Sequence, residues 1–497
     1  MPLRRWTQGA RAAWPGRRMA GLAALGGALA ALGQEPLGLW WLALPGYALL
    51  VRLVATRRGA GWLGLIGGAA HFALALNWIV EPFLIDPTAY AWMIPFAVVL
   101  LSFGLALFWA GAAWAASRLP RPALAFAVTL TAAEMLRGHV LTGFPWALPG
   151  HIWFHTPVLQ TASLFGGYGL TLLTLLSAAG LSRLRPLPVT TAALLVAAAW
   201  GFGSYTLSQP GPAPRDVTLR LIQPNAAQAL KWDPALAQTH FDRLMRLTAE
   251  GPARDLTIWP ETALPYSLDL HPEIYGMVAG VGHGAPVAIG AQRIDGNLAW
   301  NSLTVITPDG AEAARYDKAH LVPFGEYIPA GDVLYRLFGL RAFASQAGAG
   351  YSAGPGPQVI DLGPRLGKVL PLICYEAVFP QDVRAAPARA DWMLQITNDA
   401  WFGGLTGPFQ HAALARLRAI EMGLPLVRVG NTGVTAVYDA RGRTVASLPF
   451  QTEGALEAAL PGALPPTPYA RWGEAPVLVL LAGLALALFL TRRRSAA

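Results

Sequence analysis

Eight apolar runs fix most of what this 497-residue chain can fold into. They fall near residues 19–33, 36–54, 61–80, 89–117, 122–136, 158–181, 187–206 and 475–491, and few charges interrupt them. A helix needs about 20 such residues to cross a bilayer, and the whole chain is 54% hydrophobic and only 13% charged. The pattern therefore implies a multi-pass α-helical membrane bundle of about eight transmembrane helices. The first run is short, rich in Gly and Ala, and follows a basic flank, which suits a signal peptide or an uncleaved anchor. No small-residue cleavage site stands out and more runs follow, so an anchor is expected.

The arginines orient the bundle. Arg4, Arg5, Arg11, Arg17 and Arg18 precede the first run, Arg52, Arg57 and Arg58 follow the second, and Arg118 and Arg121 follow the fourth. Arg183 and Arg185 follow the sixth run and Arg492, Arg493 and Arg494 the eighth. The alternate loops, such as EPFLIDPTAY, carry almost none, Arg137 being the main exception. Positive charge stays on the cytoplasmic side, so eight spans with both termini cytoplasmic are expected, with residues 207–474 outside. The net charge of +9 does not point to nucleic acid: residues 216–460 hold 19 Lys+Arg against 23 Asp+Glu, and the basicity lies with the apolar runs.

Pro-rich linkers, SQPGPAP at 208–214 and PGALPPTP at 461–468, bracket the outer segment. Three parts follow: a bundle of seven spans over 1–207, a globular domain over 216–460, and a linker, eighth helix and basic tail over 461–497. Within the globular part, the β-type runs VTLRLIQ, LTIWP, PVAIGAQ, NSLTVIT, KVLPLIC, WMLQIT and TAVYDA alternate with helical stretches such as ALAQTHFDRLMRLTAE and QHAALARLRAIEMG. That alternation predicts an α/β fold.

Reactive residues in α/β folds gather at the carboxyl ends of strands. LTIWPE ends at Glu261, VLPLIC at Cys374, and between them RYDKAHLVPFGEYIP carries Lys318 and Glu326. A carboxylate, an amine and a thiol make a nucleophilic set: Glu261 takes the thiol proton, Cys374 attacks a carbonyl and Lys318 stabilises the oxyanion. Each has a plainer alternative. A thiol among apolar residues is commonly only packing, Glu261 could solvate a turn, and most lysines lie at the surface. Two features favour the chemical reading. Cys374 is the one cysteine in the chain, so on the oxidising outer side it escapes intramolecular disulfide capture. Of 37 basic residues only Lys231, Lys318 and Lys368 are lysines, and at Lys318 that scarcity hints at a need for a compact ammonium in place of a flat guanidinium.

The order WPE, DK, CYE resembles the nitrilase (carbon–nitrogen hydrolase) superfamily with its Glu-Lys-Cys triad. Longer stretches, QPNAAQALKWDP, WPETALPY, YDKAHLVPFGEYIP, ICYEAVFP and ITNDAWFGGLTGPFQHAALARLRAIEMGLPLVRVGNTG, resemble the apolipoprotein N-acyltransferases. So does EMLRGHVLTGFPWALPG (134–150) in the membrane half, which soluble nitrilases lack. The resemblance implies a nitrilase-like αββα sandwich carried by the membrane bundle, in the bacterial cytoplasmic (inner) membrane with the catalytic domain on the periplasmic face. It implies transfer of an acyl chain, chiefly from phosphatidylethanolamine, through a cysteine thioester to the α-amino group of the S-diacylglyceryl-cysteine that begins an apolipoprotein. By position Glu261 is the base, Lys318 the oxyanion partner, Cys374 the nucleophile and Glu326 a second active-site carboxylate, with Trp232, Tyr375 and Glu376 expected nearby. The partners implied are a phospholipid donor, a diacylated apolipoprotein acceptor and membrane lipids; the enzyme is taken to be a monomer without cofactor or metal.

Thiolate formation needs help, because a free thiol of pKa ~8.5 is mostly protonated at neutral pH; a base and a cation beside Cys374 are expected to favour it together. Two lipid substrates call for a site open to the bilayer, and Phe324, Tyr327, Trp401 and Phe402 are candidates to line that portal, with core packing as the alternative. Glu134 and Arg137, three apart, are expected to pair on one helical face as a brace to the GFPWALPG loop. His71, His139 and His151 lack metal-ligand spacing. The rival readings are a membrane-tethered nitrilase-type amidohydrolase, and a transporter whose outer domain only binds ligand.

Overall fold

In the computed structural model, residues 14–494 are described apart from Ala229, Trp232, Pro234, Pro265 and 330–349. Trp232, expected beside the site, thus lies outside the described residues. The chain forms two compact units, one of residues 1–210, 405–413 and 466–497, the other of residues 211–404 and 414–465. The short stretch 405–413, which the linkers alone would assign to the globular domain, belongs to the first unit.

Each apolar run of the first unit forms a helix over most of its length: Arg17–Ala31, Trp40–Val54, Ala60–Ala75, Ile94–Ser117, Pro122–Arg137, Ala162–Leu181, Pro186–Ser208 and Ala475–Arg494. Among the described residues, three helices are long and apolar enough to cross a membrane: Pro87–Ser117, Pro157–Leu181 and Pro186–Ser208. A fourth is reached if Ala60–Ala75 and Asn77–Leu84, bent by 49°, make one span. Trp40–Val54, at 15 residues, rises only about 22 Å at 1.5 Å per residue, short of a hydrocarbon core of about 30 Å. Without water to drive them together, such helices associate by close backbone contact: a Cβ at Gly27 would fall 1.9 Å from the Gly67 carbonyl oxygen, so glycine there lets Arg17–Ala31 lie directly on Ala60–Ala75.

Buried polar groups in this unit are spent on carbonyls. Glu134 and Arg137, 0% and 2% exposed, form the expected i,i+3 pair, with the guanidinium also donating to the carbonyls of Phe144 and Trp146. His71 Nε2 meets the Ala147 carbonyl at 3.1 Å and Gln34 Nε2 donates to Leu148 at 3.2 Å. The GFPWALPG loop is therefore held by its main chain, as non-helical backbone away from water must be. Gln410 is likewise saturated: Oε1 accepts from the indoles of Trp78 (3.1 Å) and Trp146 (2.7 Å), and Nε2 donates to the carbonyls of Glu35 (3.0 Å) and Ala75 (2.9 Å).

The second unit contains two six-stranded sheets. The first runs β12 (Gly454–Ala459), β1 (Thr218–Gln223), β2 (Leu256–Ile258), β3 (Val287–Asp295), β4 (Leu298–Ile306), β5 (Glu312–Asp317). The second runs β11 (Thr444–Ser447), β10 (Ala436–Tyr438), β9 (Leu426–Gly430), β8 (Trp392–Thr397), β7 (Lys368–Ile373), β6 (Ile360–Asp361). Each has a parallel centre, β1-β2-β3 and β7-β8-β9, flanked by antiparallel strands. Alternation sorts the side chains into layers. Leu219, Leu221, Ile258, Val369, Ile373, Trp392, Ile396 and Val429 meet between the sheets. Ile222, Val287 and Ile289 face out onto Phe241, Leu244 and Val278 of the helices Ala237–Ala249 and Glu273–Val281. On the other sheet Leu370, Leu372 and Met393 face out onto Ala415 and Ala419. The result is an αββα sandwich.

Candidate active site

The carboxyl ends of the parallel strands converge on one place. Glu261 follows β2, Cys374 follows β7, Asn398 follows β8 and Asn431 follows β9, while Lys318 comes directly after β5. Two of these turns are strained. Cys374 has φ +52, a left-handed conformation that non-glycine residues rarely adopt, and Thr262, next to Glu261, has φ +43. The Glu261 turn also lies so close to β3 that a Cβ at Gly290 would come within 2.3 Å of the Pro260 carbonyl oxygen and 2.7 Å of Glu261 Cα.

Glu261, Lys318 and Glu326 form one buried cluster. Lys318 Nζ lies 2.8 Å from Glu326 Oε1 and 3.6 Å from Glu261 Oε1, and Lys318 is 1% exposed. Asn301, from β4, bridges the carboxylates with Nδ2, at 2.7 Å from Glu261 Oε1 and 3.2 Å from Glu326 Oε1. The Asn398 amide donates to Glu261 Oε2 at 2.8 Å, and that of Val322 to Glu326 Oε2 at 2.8 Å. Burial works against the Lys318 ammonium, but Glu326, Glu261 and Cys374 outweigh it and hold Lys318 well above the ordinary lysine range.

Cys374 is 6% exposed and within the field of Glu261 and Lys318. Here the sequence-based expectation needs correcting. Burial, and then the negative charge of Glu261, push the thiol well above its ordinary value, and Lys318 and Thr397 pull the other way without prevailing. Burial and the Glu261 charge both disfavour the thiolate.

Glu376 serves the backbone. Its Oε1 accepts from Tyr316 Oη (2.6 Å) and the amides of Ala319 (2.8 Å) and His320 (3.2 Å), and its Oε2 from the amide of Ile373 (2.7 Å). One carboxylate thus ties the segment that follows Lys318 to the turn that presents Cys374. Tyr375 packs edge-on against His320 and Phe379, with ring centroids 5.6 and 4.8 Å apart.

A small, partly open cleft is lined by Glu261, Glu326, Asn301, Asn398, Tyr351 and Trp401, with Gln228 and Thr262. Of the four aromatic portal candidates Trp401 lines it; Phe324 is 62% exposed with φ +64, and Tyr327 and Phe402 are partly buried. Among the described residues there is no cluster of three or more His, Cys, Asp or Glu able to hold a metal. Sequence reasoning missed Asn301, Asn398, Gln228 and Tyr351, which carry no pattern of their own. It also passed over Lys231, although the scarcity of lysine was a usable signal.

Residues 26–180 match the apolipoprotein N-acyltransferase N-terminal domain, and residues 218–469 match the carbon-nitrogen hydrolase family. Full-length relatives agree: an apolipoprotein N-acyltransferase of Rhodopseudomonas palustris is 38% identical over 99% of this chain and 98% of its own, and one of Bradyrhizobium diazoefficiens is 39% identical over 97% and 96%. The chain belongs to the apolipoprotein N-acyltransferase family. It is an acyltransferase built on a carbon–nitrogen hydrolase domain. Among solved structures, a carbon–nitrogen hydrolase superfamily protein of Xanthomonas campestris aligns with TM-score 0.35 at 22% identity, over 50% of this chain and 91% of that one. An amidase of Nesterenkonia sp. aligns with TM-score 0.38 at 20% identity, over 54% and 98%.

Proposed function

We propose that the chain transfers a fatty acyl group from a phospholipid, chiefly phosphatidylethanolamine, through a thioester on Cys374 to the α-amino group of the S-diacylglyceryl-cysteine of an apolipoprotein. The observation that carries the reading is the convergence of Glu261, Lys318 and Cys374 on one buried cluster beside a partly open cleft. The names of the full-length relatives supply the acceptor class.

The chemistry proceeds in two displacements. In the first, Cys374 sulfur attacks the ester carbonyl as Glu261 removes the thiol proton. Lys318 faces the oxyanion, and collapse expels the lysophospholipid alkoxide, which takes the proton from Glu261. In the second, the acceptor amine attacks the thioester carbonyl, Glu261 takes an amine proton, the amide forms and the proton returns to the departing sulfur. Splitting one exchange into two acyl transfers through a reactive thioester lowers each barrier, and a fixed ammonium at the developing charge costs no reorganisation. A thiol held mostly protonated is also slow to oxidise.

The arginine pattern supports eight spans in the cytoplasmic membrane, both termini cytoplasmic and the sandwich outside. The test is an acceptor assay: whole protein in detergent micelles with phosphatidylethanolamine and a synthetic diacylated lipopeptide. The product expected is the lipopeptide one acyl group heavier, with none formed when its α-amine is blocked. Release of free fatty acid with the lipopeptide unchanged would favour a hydrolase and sink the transferase reading.

A further inference from the structure

Two of the three lysines are buried, and both lie at the Cys374 site; the third, Lys368, is exposed at the start of β7. Lys231 is 4% exposed, in the segment after β1, and its Nζ donates to Thr262 Oγ1 at 3.0 Å and to the Glu261 carbonyl at 3.3 Å. These contacts fall on the strained turn, where Thr262 has φ +43, and which β3 already crowds at Gly290. An ammonium bound to the main chain of Glu261 and to the next side chain fixes where the carboxylate points.

Its charge matters as much. The charged groups that act on Cys374 include Glu261 on one side and Lys318 and Lys231 on the other; Glu326 pairs with Lys318, and Glu376 is two residues along the chain. Asp399 also faces the thiol, but Arg428 grips it through two hydrogen bonds of 2.7 and 3.0 Å, and that pair, both 0% exposed, is neutral. His240, beside Lys231, is held below the ordinary imidazole range chiefly by burial and adds no cation at neutral pH. Lys318 is engaged by two carboxylates at once. Without Lys231, a new thiolate would add its charge to that of Glu261 with only Lys318, already engaged by Glu326, to oppose them.

We propose that Lys231 is a positioning residue of the acyl-transfer site: it fixes the Glu261 turn and supplies the second positive charge against which Cys374 ionises. Lys231 is not one of the three triad groups, and the inference rests on the reading of Cys374 as nucleophile and Glu261 as its base. Burial brings the Lys231 pKa down to about 8, against the support of the Glu261 carboxylate. The ammonium is therefore present at neutral pH and on the edge of loss just above it.

Cys374 is the one thiol in the chain, so alkylation of whole protein by iodoacetamide reports on it alone. Removing an opposite charge from beside an ionising group shifts its titration by one unit or more, about tenfold in the ionised fraction below the midpoint. Lys231→Gln, which can still donate to the Glu261 carbonyl and Thr262, is expected to label about tenfold more slowly at neutral pH. The gap to the parent should narrow above about pH 8, where Lys231 itself loses its proton. Lys231→Arg, which keeps the charge, is expected to hold the parent rate at neutral pH; should the glutamine variant not fold, Lys231→Met takes its place. A charge-free variant with the parent rate at neutral pH, or an arginine variant slowed as far as the glutamine one, would overturn the proposal. If the parent forms an acyl adduct yet Lys231→Gln labels like it, only the role of Lys231 fails; if the parent forms none, the nucleophile reading itself fails.

Discussion

Lys318 stands between two carboxylates, 2.8 Å from one and 3.6 Å from the other, with no exposed surface to relax into. Its three N–H donors radiate from one point, which lets a single ammonium serve Glu326 and Glu261 and face an oxyanion. A guanidinium is flat, larger and fork-shaped, and directs its donors in one plane. Lys318→Arg should therefore keep the charge and lose the geometry. We expect acyl transfer in the lipopeptide assay to fall at least about a hundredfold, the cost of a misplaced oxyanion donor, while thermal unfolding changes little. Near-parental turnover would show that charge alone is enough. The same reasoning separates the carboxylates: Glu261, with its Oε1 near the ammonium and the Asn398 amide on Oε2, is the one whose charge acts on the sulfur, and the proposed mechanism gives it the proton exchange. Glu376, with four donors bound, is placed to hold backbone.

At the scale of elements, the turn after β2 is positioned from outside. Gly290 in β3 leaves room for Pro260, Glu261 and Thr262, and a methyl group there would lie 2.3 Å from the Pro260 carbonyl oxygen. Gly290→Ala is expected to displace the turn and lower activity more than tenfold at a stability cost of about 1–3 kcal/mol, read as a modest fall in unfolding temperature. Unchanged activity would mean that the turn tolerates movement. The elements also mark what was legible beforehand. The strands rich in branched residues, such as KVLPLIC and WMLQIT, were visible because both their faces are buried, and their polar ends pointed to Glu261 and Cys374. Strands β5, β11 and β12 were not, because they sit at or near sheet edges where EAARYD and GALEAA need no apolar alternation. Asn301 was hidden for a related reason: its value lies in reaching two carboxylates that are 40 and 25 residues away. Lys231 was half legible, as a lysine where this chain otherwise writes arginine.

At the scale of the whole molecule, the chain separates its work by composition. The segment 216–460 has more acids than bases, while the remaining residues carry 18 Lys+Arg against 5 Asp+Glu alongside nearly all the long apolar runs. An acidic, folded sandwich holds the thiol, and an apolar, arginine-flanked bundle suits substrates that are themselves lipids. The apolar runs announced the bundle, yet their helices differ in length, and 15-residue Trp40–Val54 shows that an apolar run and a full span are separate claims. The proposed function rests on one covalent step, acylation of the lone cysteine, Cys374. Intact-mass analysis of the purified protein after incubation with phosphatidylethanolamine tests it most directly. The account predicts an increase of one fatty acyl group, located on Cys374, removed by hydroxylamine and discharged by a diacylated lipopeptide. Active protein that gains no such mass, or gains it at another residue, would contradict it.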